Sequence, residues 1–349
     1  MMRYEKVHLE GFGYVLPDNV VTSAQIEREL ADVYRRFNLH EGRLELMSGI
    51  KERRFWDEGA VPSEGSTLAG KRALEASGVA PEEIECLLHT SVSRDFLEPA
   101  TASLVHRNLS LSPKALFYDI SNACLGFLNG MTSLGDMIEL GHVRRGLIVA
   151  GESSRQLVRS TMDFLRNSPH LTRQQLKQAF ASLTIGSAAV ALVMAHASVS
   201  NTNHRLVGGV IRTATQHSHL CQGSNDTGFT PDASMVMSTE AETLLVNGCR
   251  LAAETWSEFK DTLGWRQGEI NRSYCHQVGQ AHRDRFLESI GLDPAIDFST
   301  FPFLGNVGSV SLPLTMAMGV ERDPPAEGDR LALLGIGSGL CCAMLGVVW

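Results

Sequence analysis

The chain has 349 residues, of which 43% are hydrophobic and 20% are charged, a composition that excludes disordered and fibrous proteins and allows a full hydrophobic core. The formal net charge of -8 provides no general attraction for nucleic acid or an anionic membrane surface. We therefore expect no nucleic-acid partner, and any anionic ligand must be bound by local basic residues.

Neither a membrane span nor a disulfide framework is expected. No apolar run approaches the roughly 18 residues that cross a bilayer, and the N-terminal segment is interrupted too early for a secretory signal. The seven cysteines are odd in number and lack the spacing of metal ligands. We therefore expect a cytoplasmic location, free thiols and no metal site.

Short apolar strands alternate with helical segments, as in α/β folds. In the first half the pattern predicts a helix over 67–77, strands over 85–91, 115–120 and 146–150, a helical excursion over 153–181, and a strand over 184–194. In the second half it predicts strands over 206–213, 330–334 and 335–344, and a helix over 281–290 that ends before Gly291. The excursion is a place where a substrate tunnel or lid can be built.

Two pairs of segments repeat within the chain. The apolar strands 184–194 and 335–344 both begin near a glycine, and segments 122–131 and 306–316 both run from a small-residue turn into an uncharged helix. Helices without charges over three turns must be buried on all sides. The sequence therefore predicts a duplicated α/β fold with a central helix layer, in two halves, 1–196 and 197–349.

Cys124 is the candidate nucleophile. It follows the predicted strand 115–120 and begins a buried helix, where the helix dipole lowers the pKa of a thiol. The neighbouring residues Ala123 and Gly126 are small enough to let a ligand reach the sulfur. The alternative is a buried structural cysteine, which is the more common role of an isolated cysteine.

Four segments in this order resemble the nucleophile, histidine, asparagine and oxyanion loops of the ketoacyl synthase III branch of thiolase-fold enzymes. They are 122–126 with Cys124, 275–279 with His276, 305–313 with Asn306, and 337–339 with Ser338. The resemblance implies a thiolase-like fold, in which duplicated βαβαβαββ halves form a five-layered αβαβα sandwich. It also implies a homodimer.

Within that branch, segments 90–103 and 333–349 are similar to the OleA-type condensing enzymes of long-chain olefin biosynthesis. The similarity implies transfer of an acyl group from CoA to a cysteine, then a Claisen condensation with a second long-chain acyl-CoA without loss of carbon dioxide. The product is a β-keto acid or its thioester. No cofactor is expected beyond the CoA thioesters, and downstream pathway enzymes are expected as partners.

The resemblance also implies residue roles. The backbone N–H groups of Cys124 and Ser338 form one oxyanion hole, and His276 with Asn306 donates to the thioester oxygen of the second substrate. Glu98 removes the α-proton of an unactivated acyl-CoA and acts across the dimer interface. Its apolar neighbours favour partial burial, whereas the alternative is an ordinary solvated loop residue.

The segment expected to meet the CoA nucleotide contains Lys51, Arg53, Arg54 and Trp56. The basic side chains suit phosphates, and the indole ring can stack on a base or instead belong to an interface.

Two other functions remain open. The nearer is a decarboxylating 3-oxoacyl-ACP synthase III that uses acyl-CoA and malonyl-ACP. Such an enzyme needs no base, and its family usually carries an asparagine where this chain has Gly279, so Glu98 and Gly279 argue against it. The other is a non-catalytic or acyl-carrying subunit, against which the presence of Cys124, His276 and Asn306 together argues.

Overall fold

The computed structural model describes residues 1–223 and 237–349. The strands in these ranges are β1 Met2–Arg3, β2 Val7–Val15, β3 Asn19–Thr22, β4 Glu52–Phe55, β5 Cys86–His89, β6 Leu116–Asp119, β7 Arg145–Glu152, β8 Ala188–His196, β9 Arg205–Thr213, β10 Cys221–Gln222, β11 Ser238–Thr239, β12 Arg272–Cys275, β13 Asp297–Phe298, β14 Arg330–Gly337 and β15 Cys341–Val348. The α-helices are α1 Ser23–Glu29, α2 Ala31–Arg36, α3 Arg43–Ser48, α4 Pro62–Ser77, α5 Thr101–Asn108, α6 Gly126–Glu139, α7 Arg155–Asn167, α8 Arg173–Ala179, α9 Ala241–Leu263, α10 Gln280–Ile290, α11 Phe301–Leu304 and α12 Ser311–Arg322.

The duplication is visible in the strand order. The first five-stranded set runs β2-β8-β7-β5-β6, and the second runs β9-β15-β14-β12-β13. In each set the second, third and fourth strands along the chain are parallel, and the fifth is antiparallel to both of its neighbours. The sets join into one hydrogen-bonded sheet where β2 and β1 pair with β9. Because the halves share this sheet, the boundary after residue 196 stays a prediction.

The fold has the expected five layers of an α/β thiolase-like fold. Helices α6 and α12 pack between the two strand sets in one large hydrophobic cluster. Helices α4 and α5 cover the outer face of the first set, and α9 and α10 cover that of the second. Strand β8 shows why helices can pack on both faces of a strand set. Its alternate residues Ala189, Ala191 and Val193 face α4, while its other side chains face the central layer, as strand geometry requires.

Two predicted strands differ from the structure. Segment 335–344 is a hairpin rather than one strand, since β14 ends at Gly337 and β15 begins opposite it at Cys341. The Gly337-Ser338-Gly339 turn reverses the chain, and the apolar run on both sides hides it from a hydropathy pattern. The strand expected from Thr184 begins only at Ala188, after a short 3-10 helix.

The helical excursion is confirmed as α7 and α8, which pack with α1 and α2 in a separate hydrophobic cluster. This cluster lies to one side of the sheet and forms part of the wall of the large cavity described below. Within residues 1–223 and 237–349, no helix is long and apolar enough to cross a membrane.

Candidate active site

A cavity of about 1440 Å³ opens between the two halves and contains the main predicted site residues. Cys124, His276, Asn306 and Ser338 all line it. Its remaining wall is mostly apolar and is formed by side chains of α7, α8, α9 and α10. The cavity therefore combines a few polar groups with a large apolar volume, as a site for long acyl chains requires.

Cys124 lies in the tight turn between β6 and α6. Ala123, directly before it, has a φ of 45°, a left-handed conformation that residues other than glycine rarely adopt. A Cβ at Gly126 would lie 2.3 Å from the Thr90 backbone oxygen, so only glycine lets the turn press against the end of β5. This packing directs the Cys124 side chain into the cavity.

The electrostatics of Cys124 differ from the prediction. Its side chain is partly accessible from the cavity but is surrounded by protein, and this burial raises the pKa of the thiol to about 12, with smaller contributions from Cys221 and Glu152. A helix N-terminus contributes about 0.3–1 kcal/mol, or less than one pKa unit, whereas burial can contribute roughly 3–5 units. The expected lowering of this pKa by the helix dipole is therefore outweighed.

The turn of the β14–β15 hairpin contacts the nucleophile. A Cβ at Gly337 would lie 3.6 Å from both the backbone nitrogen and the Cβ of Cys124. Gly337 and Ser338 also line the cavity. The structure thus brings together the two backbone segments that were predicted to form the first oxyanion hole.

His276 follows β12 and continues its ladder through a hydrogen bond from its backbone N–H to the Leu334 oxygen, 3.0 Å away. Burial, with a smaller contribution from His282, lowers the pKa of His276 to about 3, so the ring is neutral at physiological pH. Its Nδ1 is buried and has no hydrogen-bond partner among the described residues. The tautomer with its hydrogen on Nε2 leaves a lone pair rather than an N–H unpaired at Nδ1, so this tautomer is the one that suits a donor role for Nε2.

Asn306 is held by its backbone and by its own side-chain oxygen. Its N–H donates to Thr184 O at 3.1 Å, and its Oδ1 accepts from the Gly308 N–H at 3.0 Å and from Ser311 Oγ at 3.4 Å. With Oδ1 occupied on the α12 side, the amide NH₂ is the group that can donate into the cavity.

Glu152, the last residue of β7, is a cavity residue that the sequence analysis missed. Its buried carboxylate accepts hydrogen bonds from Val92 N–H at 2.9 Å and from Ser93 N–H and Oγ at 3.1 and 2.8 Å. It also accepts from Ser309 N–H and Oγ at 3.3 and 2.7 Å. One carboxylate therefore connects the loop that leads to Glu98 with the loop that carries Asn306.

Glu98 is exposed and does not line the cavity of its own chain, which corrects the expected partial burial within the subunit. It lies in the loop between β5 and α5, beside Phe96 and Leu97, which are 54% and 41% exposed. Phe96 and Glu98 thus face solvent in the single chain, whereas the partly exposed Leu97 also lines the cavity.

The comparisons with known proteins agree with this geometry. The C-terminal model of 3-oxoacyl-[acyl-carrier-protein] synthase III matches residues 261–349. The acyl-CoA:acyl-CoA alkyltransferase of Shewanella oneidensis is 39% identical over 352 aligned positions and covers 100% of both proteins. The chain belongs to the OleA family.

Solved structures of Xanthomonas campestris OleA are similar over the whole fold. A cysteine-to-serine variant with bound lauric acid and lauroyl-CoA superposes with a TM-score of 0.93 at 36% identity, covering 99% of this chain and 100% of that one. A glutamate-to-alanine variant gives 0.94 at 36% identity, with 100% of both chains covered. This OleA-family chain is therefore an acyltransferase of thiolase-like fold.

The predicted CoA segment of this OleA-family chain needs correction. Arg53 is fully buried and donates to Val21 O and Ser23 Oγ at 3.2 and 3.1 Å, and burial lowers its pKa to about 10. Arg54 is only partly exposed and donates to Pro17 O at 2.9 Å. Both guanidinium groups thus form hydrogen bonds within the 17–23 segment, and neither lines the cavity.

Trp56 and Lys51 also lie outside the cavity. The indole Nε1 of Trp56 donates to Glu152 O at 2.9 Å, so this ring braces the end of β7. Lys51 is exposed, but it does not line the cavity. Among the residues that the structure describes, the basic side chains at the cavity are Arg43, Arg94, Arg173 and Lys177.

Proposed function

We propose that the protein joins two long-chain acyl-CoA molecules head to head by a non-decarboxylative Claisen condensation through an acyl-Cys124 intermediate. One observation carries the proposal: a single large apolar cavity contains Cys124 together with two separate sets of oxyanion donors, the 337–339 turn and the pair His276 and Asn306. Two thioester carbonyls must be polarised in this reaction, so two donor sets are needed.

In the first step, the sulfur of Cys124 attacks the carbonyl carbon of one acyl-CoA. The backbone N–H groups of Cys124 and Ser338 stabilise the oxyanion, the bond to the CoA sulfur breaks, and CoA leaves with the proton of the thiol. A thiolate of high pKa is scarce at neutral pH but is the stronger nucleophile, and exchange of one thioester for another is nearly isoenergetic.

In the second step, a base takes the α-proton of the second acyl-CoA. His276 Nε2–H and the Asn306 amide stabilise the enolate oxygen, and the α-carbon attacks the acyl-Cys124 carbonyl. A carbon–carbon bond forms, the thioester bond to Cys124 breaks, the proton held by the base returns to the Cys124 sulfur, and a β-ketoacyl-CoA leaves. His276, with a pKa near 3, is too weak a base for this step.

The carboxylates of the cavity do not supply that base within one chain. Glu152 accepts five hydrogen bonds, which occupy both of its oxygens. Glu242 pairs with Lys177 at 3.0 Å, and both side chains are exposed at the rim. Among the described cavity residues these are the acidic side chains, and both are engaged in other contacts, which favours Glu98 of a second chain as the base.

The dimer that delivers Glu98 uses the β6 edge of the sheet. Large apolar side chains are exposed on β6 and on the Glu98 loop together: Val92, Phe96, Leu97, Leu116 and Phe117. Asp119 at the end of β6 accepts hydrogen bonds from the first two N–H groups of α5, which fixes the loop beside this edge. An unpaired edge strand with apolar neighbours favours pairing with a second copy around a two-fold axis.

The OleA variants support the choice of Glu98. In the Xanthomonas campestris protein, the replaced glutamate and cysteine are as far apart along the chain as Glu98 and Cys124 are here. The decarboxylating alternative is less favoured, because a Cβ at Gly279 would lie 2.6 Å from the Ser48 backbone oxygen. The usual asparagine of those synthases therefore has no room in this backbone.

The remaining expectations belong to the same proposal. All seven cysteines are free thiols, which supports a reducing cytoplasmic location. The two steps as written use only side chains, backbone groups and CoA thioesters, so no metal or other cofactor is required. The β-keto product is chemically labile, which suits downstream enzymes as partners.

A complementation experiment tests the proposal. Chains with Cys124→Ala are co-folded with chains with Glu98→Gln, supplied with one long-chain acyl-CoA, and assayed for released CoA and β-keto product. A mixed dimer keeps one complete site, and random pairing makes about half the dimers mixed, so activity near about a quarter of wild type should return. Activity no higher than in the parent variants would refute a base delivered in trans.

If the β-keto product formed only when malonyl-ACP was added, the protein would instead have the decarboxylating function. Intact-mass measurement supplies the control for the first step, because Glu98→Gln should still gain one acyl group per chain whereas Cys124→Ala should gain none.

A further inference from the structure

Resting on the condensation proposed above, we propose that Glu152 is the positioning residue that fixes both the Glu98 loop and the Asn306 loop, and that one Glu152 thereby serves two active sites. Through Ser309 it sets the donor Asn306 of its own chain. Through Val92 and Ser93 it sets the loop that delivers Glu98 to the neighbouring chain.

The hydrogen bonds divide between these two loops. Oε1 accepts from Ser309 Oγ at 2.7 Å and from the N–H groups of Ser309 and Val92 at 3.3 and 2.9 Å. Oε2 accepts from Ser93 Oγ at 2.8 Å and Ser93 N–H at 3.1 Å. A carboxylate that accepts from several donors holds them far more rigidly than neutral side chains do. The two loops therefore share one fixed reference point.

The Asn306 loop is shaped around this carboxylate. Gly308 has a φ of +55°, and a Cβ there would lie 3.1 Å from Glu152 Oε1. Gly308 N–H in turn donates to the Asn306 side-chain oxygen at 3.0 Å, which orients the amide. A displacement of the Glu152 carboxylate would thus move Gly308 and, through it, the side-chain amide of Asn306.

The residue that carries this carboxylate is the last residue of a rigid strand. Glu152 closes β7, which is paired on both sides, with β5 and with β8. Its backbone oxygen accepts from Trp56 Nε1 at 2.9 Å. The position of Glu152 is consequently set by the sheet, so that it can orient the loops instead of following them.

The proposal predicts that serine variants on the two arms act in different subunits. Dimers are prepared with two affinity tags so that one chain carries Cys124→Ala and the other provides the single working cysteine. Ser309→Ala should lower condensation about 10- to 100-fold on the working chain and have no effect on the other chain. Ser93→Ala should act mainly when it is on the Cys124→Ala chain, because the loop of that chain delivers Glu98 to the working site. On the working chain its effect should be smaller, since Ser93 there lines only the cavity wall.

Glu152→Gln should lower condensation in either placement, since it disturbs both arms. Acylation of Cys124, followed by intact mass, should persist in every arrangement. Loss of the negative charge near the sulfur should also lower the pKa of the thiol and speed its alkylation by iodoacetamide, whereas Ser309→Ala, which removes a hydrogen bond but keeps the charge, should not. Glu10→Gln is the matched control, because Glu10 is equally buried and accepts from the Asn201 N–H, far from the cavity.

The outcomes separate this inference from the proposed function. The proposed function requires that dimers of one wild-type and one Cys124→Ala chain catalyse condensation of acyl-CoA. It also requires that adding Glu98→Gln to the Cys124→Ala chain abolishes this activity. If both hold but the serine variants show no dependence on placement, or Glu152→Gln behaves like Glu10→Gln, the positioning role of Glu152 is refuted.

Discussion

The pKa of Cys124 gives the sharpest quantitative prediction, because the sequence and the structure disagree about its direction. With a pKa of about 12, roughly one thiol in 10,000 is ionised at pH 8, compared with about a quarter of an ordinary exposed cysteine. The higher pKa raises the nucleophilicity of the thiolate by about 40-fold, for a Brønsted slope of 0.4–0.5. Alkylation of Cys124 at pH 8 should therefore be about 50-fold slower than that of an unhindered thiol.

The assay is pseudo-first-order alkylation by iodoacetamide between pH 7 and pH 10, with peptide mapping to isolate Cys124 and a short cysteine peptide with blocked termini as the reference. Because the folded pKa lies above this window, the rate should rise about tenfold per pH unit without levelling off. The reference thiol should level off above its own pKa, near about 8.5. Restricted entry to the cavity would slow the reaction equally at every pH and would leave the slope unchanged.

A plateau in the Cys124 profile below pH 9 would refute the reasoning. It would show that the N-terminus of α6 outweighs burial, as the position of the cysteine in the sequence suggests. Cys124→Ala is the control that removes the signal, and the profile of Glu152→Gln should shift to lower pH.

Three further variants test other parts of the site. His276→Ala and Asn306→Ala should each slow condensation about 10²–10³-fold while sparing acylation, and a failure to acylate would contradict the division between the two donor sets. Gly248→Leu should shift the preferred acyl-CoA to shorter chains in a competition assay, since a side chain there enters the cavity beside Ile336, whereas Gly268→Leu at an open surface position should not. Arg53→Ala should lower the melting temperature and leave the KM for acyl-CoA unchanged; an altered KM would restore the CoA role.

Much of the fold could be predicted because its signals are local and periodic. The uncharged helices that follow Cys124 and Asn306 imply burial on all sides, and they do form the central layer. The β14–β15 hairpin was misread because its three-residue turn lies inside a continuous apolar run, where hydropathy alone shows no break.

The CoA segment was misread for a different physical reason. The family resemblance places this segment at the CoA nucleotide, but β4 alternates its side chains, so Arg53 and Phe55 face the interior while Arg54 faces the other side. Strand alternation was the signal available to detect this. Glu152 had no such signal, because a glutamate at the end of a strand acquires its partners only when loops from distant parts of the chain converge on it.

The duplication explains why the site is scattered along the chain. The six groups used here follow equivalent strands of the two halves in pairs: Glu98 and His276 after β5 and β12, Cys124 and Asn306 after β6 and β13, and Glu152 and Ser338 at the ends of β7 and β14. These strands are parallel within each half, so their carboxyl ends lie at one edge, where open α/β sheets bind ligands. Each half alone contributes only one member of every pair, and Glu98 itself does not line the cavity of its own chain. The site therefore draws on both halves of one chain, and the proposed condensation adds to it Glu98 from a second copy.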